Sequence, residues 1–135
     1  MPARIIAEIG HAERGIDSYP GAQIDENFFI DHGTPVVIGE TPHVGKRVRL
    51  YQAVTPAAKR FETDTSGALV KGQPRGPIVE DDVTIYAGAT VLGRFTISGG
   101  SSIDGNVWLS HSVPSKSNIT QAKPRVEKFQ DGAGI

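Results

Sequence analysis

The sequence predicts an all-β fold: a single-stranded left-handed parallel β-helix of hexapeptide repeats, with a short N-terminal helix, an extruded loop and a C-terminal tail. Three observations carry that prediction. Val79, Ile85, Val91, Ile97, Ile103 and Leu109 recur at a spacing of six. Four positions after each stands Val83, Ala89, Phe95, Ser101, Val107 or Val113, a second and mostly small or apolar track. The 135 residues include 16 Gly and 9 Pro, which suits a chain with many tight corners. A period of six is neither the 3.6 of a helix nor the alternation of a strand. It fits a chain that turns a corner every six residues, so that three hexads close one triangular coil. Such coils stack about 4.7–4.9 Å apart, and their aliphatic residues form a ladder along the axis of a prism.

The elements follow in order. Residues 1–14 (MPARIIAEIGHAER) hold Ile5, Ile6 and Ile9 at helical spacing and are expected to form a short helical stub. Residues 15–114 are expected to form the β-helix domain. Its first coils carry the ladder as Ile24 and Ile30, a slip of two, then Ile38, Val44 and Leu50. Residues 56–77 lose the rhythm and gain charge, Gly and Pro, which marks a loop extruded from the solenoid. Residues 78–114 are the regular coils. Residues 115–135 form a polar tail, expected to leave the prism after Val113-Pro114. The end coils of a solenoid need capping or a partner.

Composition narrows the class. A formal net charge of −1 with scattered Lys and Arg gives no reason to expect nucleic acid or an anionic membrane as partner. No apolar run is long enough to span a bilayer, and Met1 to Glu8 lack the regions of a signal peptide. The absence of cysteine excludes disulfides and thiolate metal sites. A cytoplasmic location and no metal are expected.

A β-helix is only a scaffold, so function must come from side chains that the repeat does not require. Asp31-His32-Gly33-Thr34 follows the inward Ile30 and therefore falls at or near a corner. Histidine suits a general base near neutral pH, above all when a carboxylate orients its ring. Asp17 lies 15 residues upstream, a little under one three-hexad turn, and is expected beside His32 on the neighbouring coil. On spacing alone, the alternative stands that His32 is a bonded corner residue and Asp17 a turn former.

The stretch GIDSYPGAQIDENFFIDHGTPVVIGETPHVGKRVRLYQAVT resembles the catalytic domain of serine O-acetyltransferases. The likeness resumes at IVEDDVTIYAGATVLG and runs through SSIDGNVWLSHSVP, together well over half the chain. The DHGT–VVIGET combination is far more specific than the hexads. The resemblance implies that His32 takes the proton of the serine hydroxyl as it attacks acetyl-CoA, with Asp17 completing a dyad. It implies that Asp31 holds the amino group of L-serine and that Arg75 pairs with the carboxylate, a task for a planar guanidinium fork. It also implies that acetyl-CoA lies in a groove between prisms, along Ala87, Gly88 and Gly105. A homotrimer is then the minimal unit, or a hexamer where the family's helical domain joins two trimers.

The chain departs from the family pattern at several points. Arg75-Gly76-Pro77 stands where the family has Arg-His-Pro, and Asp17-Ser18-Tyr19-Pro20 where it has Asp-Ile-His-Pro. Pro56-Ala57-Ala58-Lys59 replaces a glycine-rich turn, and Pro35 replaces the glycine after DHGT. Of the family's N-terminal helical domain only residues 1–14 correspond. Lost contacts to a charged substrate cost about 1.5–3 kcal/mol each, so weak activity or another hydroxyl acceptor is the alternative within this class. The terminal Gly134-Ile135 resembles the tail by which serine acetyltransferases insert isoleucine into O-acetylserine sulfhydrylase. That implies Ile135 as a partner-binding residue, and a weakly active or non-catalytic binding protein as a second alternative. A zinc β-helix enzyme fits worst, because His32, His43 and His111 share no corner track.

Overall fold

The computed structural model describes residues 2–126. Helix α1 (Pro2–Arg14) leads into fourteen strands of two or three residues, all parallel to their partners. The strands fall on three faces. The first face carries Asp17–Ser18, Val37–Ile38, Thr55–Ala57, Thr90–Leu92 and Trp108–Leu109. Its two halves are joined by hydrogen bonds from Val37 N–H to Val54 O and from Gly39 N–H to Pro56 O, each 3.1 Å. The second face carries Gln23–Ile24, His43–Val44, Ile78–Val79 and Thr96–Ile97. The third carries Phe29–Ile30, Arg49–Leu50, Thr84–Ile85, Ser102–Ile103 and Asn118–Ile119. The chain folds as the left-handed hexapeptide-repeat β-helix that its periodicity predicts.

The two hexad tracks are the core. Val79, Ile85, Val91, Ile97 and Ile103 are at most 1% exposed, and Val83, Ala89, Phe95, Val107 and Val113 are buried beside them. Each fully buried aliphatic side chain contributes about 1.5–3 kcal/mol. Ile24 and Ile30 share the track but remain 37% exposed and half-buried respectively, because no further coil covers the first one. Several corners turn through left-handed residues: Asn27, Arg47, Asp82, Gly100 and Lys116 at one edge, Ala53, Gly88 and Asn106 at another.

Register shows where the repeat is broken. Regular coils are offset by 18 residues, as Thr84 opposite Ser102 and Thr90 opposite Trp108. The first coil is offset by 20, with Asp17 opposite Val37, so the slip of two in the ladder is a bulged corner at residues 31–36. One coil is offset by 35, with His43 opposite Ile78, where the loop is extruded. Strand Thr55–Ala57 carries the rhythm through the buried Pro56, so the chain leaves the prism only after Ala57. The loop is tied back by a bridge between Thr63 and Leu69 and by the Asp64 carboxylate, which accepts from Ser66 and Ala68 N–H.

The expected exit after Pro114 needs correction. Asn118–Ile119 pairs with Ser102–Ile103 at an offset of 16, so the prism continues at least one rung into the tail. Ser101, the one polar residue of the second track, is 1% exposed and makes this shortened turn possible. Its hydroxyl donates to Pro114 O at 3.0 Å and accepts from Ser117 N–H at 3.1 Å.

Candidate active site

His32 lies on the edge between the third and first faces, with its backbone at φ +50°. Non-glycine residues are uncommon in that region, although histidine tolerates it better than most. The ring stands well into solvent, and its Nε2 is 3.6 Å from Asp31 Oδ1, too long for a hydrogen bond. A groove of about 560 Å³ runs along this edge, lined by Arg14, Ile16, His32, Gly33, Thr34 and Gln52.

Residues implied for acetyl-CoA fall on the same edge. The coil register carries His32 to Gln52, then to Ala87, then to Gly105. Backbone bonds join the steps: Gly88 N–H donates to Gln52 O and Asn106 N–H to Ala87 O, both at 2.9 Å. The glycines also have a reason within the fold. Gly88 sits at φ +71°, and a methyl there would overlap the Asn106 side chain. At Gly105 a methyl would come within 3.0 Å of Ala87 O. The Gln121 amide donates to the Gly105 carbonyl and continues the ladder. Small residues are therefore needed here by stacking itself, and they leave a shallow edge.

A coil of 18 residues, like the later ones, would set Asp17 opposite Pro35. The bulged corner lengthens the first coil to 20 residues and sets Asp17 opposite Val37 instead. Its carboxylate is bonded to His11 of helix α1, with Nδ1 2.8 Å from Oδ1. His11 is the residue that sequence reasoning missed. The signal was present, because the last turn of a helix ending at Arg14 brings His11 over the first strand.

Arg75 lies on a different edge, between the first and second faces, where the loop rejoins the prism. Its N–H donates to Thr41 Oγ1 at 3.0 Å and its Nη1 to Val70 O at 3.3 Å. The guanidinium stacks over Phe61 at 4.5 Å, and its buried Nε has no partner. One whole face, on the order of 15 Å at strand rise, separates this edge from that of His32. A single prism therefore does not bring Arg75 to His32.

The glycine at position 76 has a steric cause. A Cβ there would lie 2.5 Å from Pro42 N and 2.6 Å from Pro42 Cδ. Gly76 N–H donates to Thr41 Oγ1 at 2.7 Å and its carbonyl accepts from Arg94 at 3.2 Å, so the backbone is held against Pro42. Pro42 thus excludes the side chain that the family carries here. The adjacent His43 lies on the second face, its Nδ1 3.0 Å from Gln23 Oε1. Ile135 lies outside the described residues.

Known proteins resemble this chain along nearly its whole length. A serine acetyltransferase of Synechococcus elongatus is 62% identical over 133 residues, 98% of this chain and 42% of that protein. The chain belongs to the serine O-acetyltransferase family. A serine acetyltransferase of Bacillus subtilis is 40% identical over 124 residues, 92% of this chain and 53% of that one. Among solved structures, serine acetyltransferase 1 of Entamoeba histolytica in complex with L-cysteine superposes with a TM-score of 0.80 at 41% identity. That match covers 87% of this chain and 43% of the other. No family model matches the chain. The chain spans about half the length of the curated relatives it matches, between 42% and 59%. What it shares with the family is the β-helix that bears Asp17, Asp31 and His32.

Proposed function

We propose that this chain transfers acetyl from acetyl-CoA to the hydroxyl of L-serine, as its relatives' names describe. The identity of 62% across 98% of the chain carries this reading. His32 takes the proton of the hydroxyl as the oxygen attacks the thioester carbonyl. The tetrahedral oxyanion then collapses and expels the coenzyme A thiolate, to which His32 returns the proton. Asp17 stabilises the imidazolium once its carboxylate turns toward the ring. Asp31 holds the serine ammonium, and the edge of Ala87, Gly88 and Gly105 receives the pantetheine arm.

Arg75 binds the serine carboxylate from a neighbouring prism, since the two edges of one prism are too far apart to share a small substrate. A homotrimer, closed by three contacts between unlike edges, gives every His32 such a neighbour. Arg75 must leave Phe61 and Val70 to do this, and its unpartnered Nε favours the exchange. Ile135 is proposed to bind O-acetylserine sulfhydrylase.

A second reading, acetyl transfer to another hydroxyl acceptor, draws on the exclusion of a side chain at Gly76 by Pro42. Coenzyme A thiol release with L-serine and with a panel of other hydroxyl compounds separates the two. Release that needs L-serine and disappears in His32→Ala supports the first reading. Release only with another acceptor supports the second, and none with any acceptor refutes both.

A further inference from the structure

The extruded loop carries a small hairpin of its own. Thr63 and Leu69 bridge in antiparallel sense, while Val70 N–H donates to Glu62 O and Asp64 N–H to Ala68 O, both at 2.8 Å. The tip turns through Gly67 at φ +82° beside the Asp64 carboxylate. Arg75 closes the base of this hairpin. Phe61, ahead of one leg, lies 4.5 Å from the guanidinium, and Val70, at the end of the other, accepts from Nη1 at 3.3 Å. Phe61 remains 60% exposed, so its ring is no part of the core. The backbone beneath is fixed, because Arg75 N–H and Gly76 N–H both donate to Thr41 Oγ1, at 3.0 and 2.7 Å.

A carboxylate that takes a guanidinium through two parallel bonds uses either the Nη1–Nη2 fork or the Nε–Nη2 fork. Both forks are closed here. Val70 O occupies Nη1, and Nε is buried without a partner, out of reach of an oxygen from solvent. A buried unpaired donor carries a penalty that a carboxylate oxygen would remove. We propose that the hairpin of residues 61–70 is an autoinhibitory strap, held shut by Arg75 and released when the carboxylate of L-serine takes the guanidinium. This rests on the reading of Arg75 as the carboxylate ligand. Strap and substrate share one cation, so each weakens the other by the same factor. Serine loosens the hairpin, and a hairpin without the Phe61 ring lets serine bind more tightly. The grip of Thr41 on the backbone confines the movement to the Arg75 side chain and the hairpin.

The test is amide hydrogen exchange of the full chain at Val70 and Asp64, alone, with L-serine, and with L-serine amide, which lacks the carboxylate. L-Serine is expected to speed exchange at both positions severalfold, and serine amide to leave them at the rate of the free protein. Phe61→Ala is expected to speed exchange without any ligand. It should also lower KM for L-serine by roughly two- to fivefold at unchanged kcat, the scale of one exposed cation–π contact. Phe61→Tyr, which keeps the ring, is expected to match the parent. Exchange that L-serine slows or leaves unchanged overturns the proposal, as does equal acceleration by serine amide or an unmoved KM in Phe61→Ala. Serine-dependent thiol release with unresponsive exchange sinks the strap alone. Responsive exchange without thiol release refutes the proposed function and leaves the strap standing.

Discussion

Replacing Gly76 by alanine perturbs the point where this chain departs most visibly from its family. The added Cβ would lie 2.5 Å from Pro42 N and 2.6 Å from Pro42 Cδ, whereas carbon contacts settle near 3.5–4.0 Å. One of the two segments must therefore retreat by about 1 Å. Neither is free to do so. Pro42 O accepts from Gln23 N–H at 3.2 Å, and Thr41 Oγ1 accepts from both Arg75 N–H and Gly76 N–H. Overpacking of this kind costs about 1–3 kcal/mol, and the fixed backbone on both sides points to the upper end. For a domain of this size, about 3 kcal/mol lowers Tm by roughly 10 °C. Urea unfolding followed by circular dichroism measures it as a lower midpoint at unchanged slope. Gly76→His should suffer at least as much and gain no serine turnover, although it restores the family's residue. A Gly76→Ala protein within about 0.5 kcal/mol of the parent would show that the backbone yields easily, and would refute the steric account of the missing histidine.

Two further outcomes follow from polar groups at the corners. Ser101→Ala leaves the Ser117 N–H without its partner, while the Pro114 carbonyl keeps the Ser117 hydroxyl at 2.7 Å, and should cost about 1 kcal/mol, read from the same unfolding curves. Arg47 holds the Asp82 carboxyl below its ordinary range through two bonds of 2.7 and 2.8 Å. The folded state then binds this proton less readily than the unfolded chain, so the pair's contribution is present above the ordinary aspartate range and fades as pH falls through the depressed value. Carboxyl NMR of Asp82 in Arg47→Ala should show its midpoint rising toward the ordinary value, and the stability difference should stay small because both groups are exposed.

Much of the fold was legible because a hexad ladder fixes both which residues face inward and how long a coil is. Val79 to Leu109 and their companions four positions on are buried as that arithmetic requires. The slip between Ile30 and Ile38 is visible in the sequence. It lengthens the first coil to 20 residues and sets Asp17 opposite Val37. The last coil was missed for the opposite reason. Its offset of 16 leaves no hexad to read, and the device that closes it is the hydroxyl of Ser101.

The site was legible in part. The corner position of His32 followed from the inward Ile30, and the alignment of Ala87 and Gly105 with it follows from coil length. The grip of His11 on Asp17 depends on where a helix end docks, which periodicity does not encode. The contact of Gly76 with Pro42 joins residues 34 apart across an extruded loop, and only the register brings them together.

The proposal that acetyl transfer runs at His32 in a site completed by Arg75 of a neighbouring prism is tested most directly by mixing two inactive variants. His32→Ala and Arg75→Ala chains, unfolded together and refolded, form mixed assemblies in which about a quarter of the sites pair an intact His32 with an intact Arg75. Serine-dependent thiol release should return to about that fraction of the wild-type rate, while each variant refolded alone stays inactive. No recovery from properly assembled mixtures would contradict a site shared between prisms.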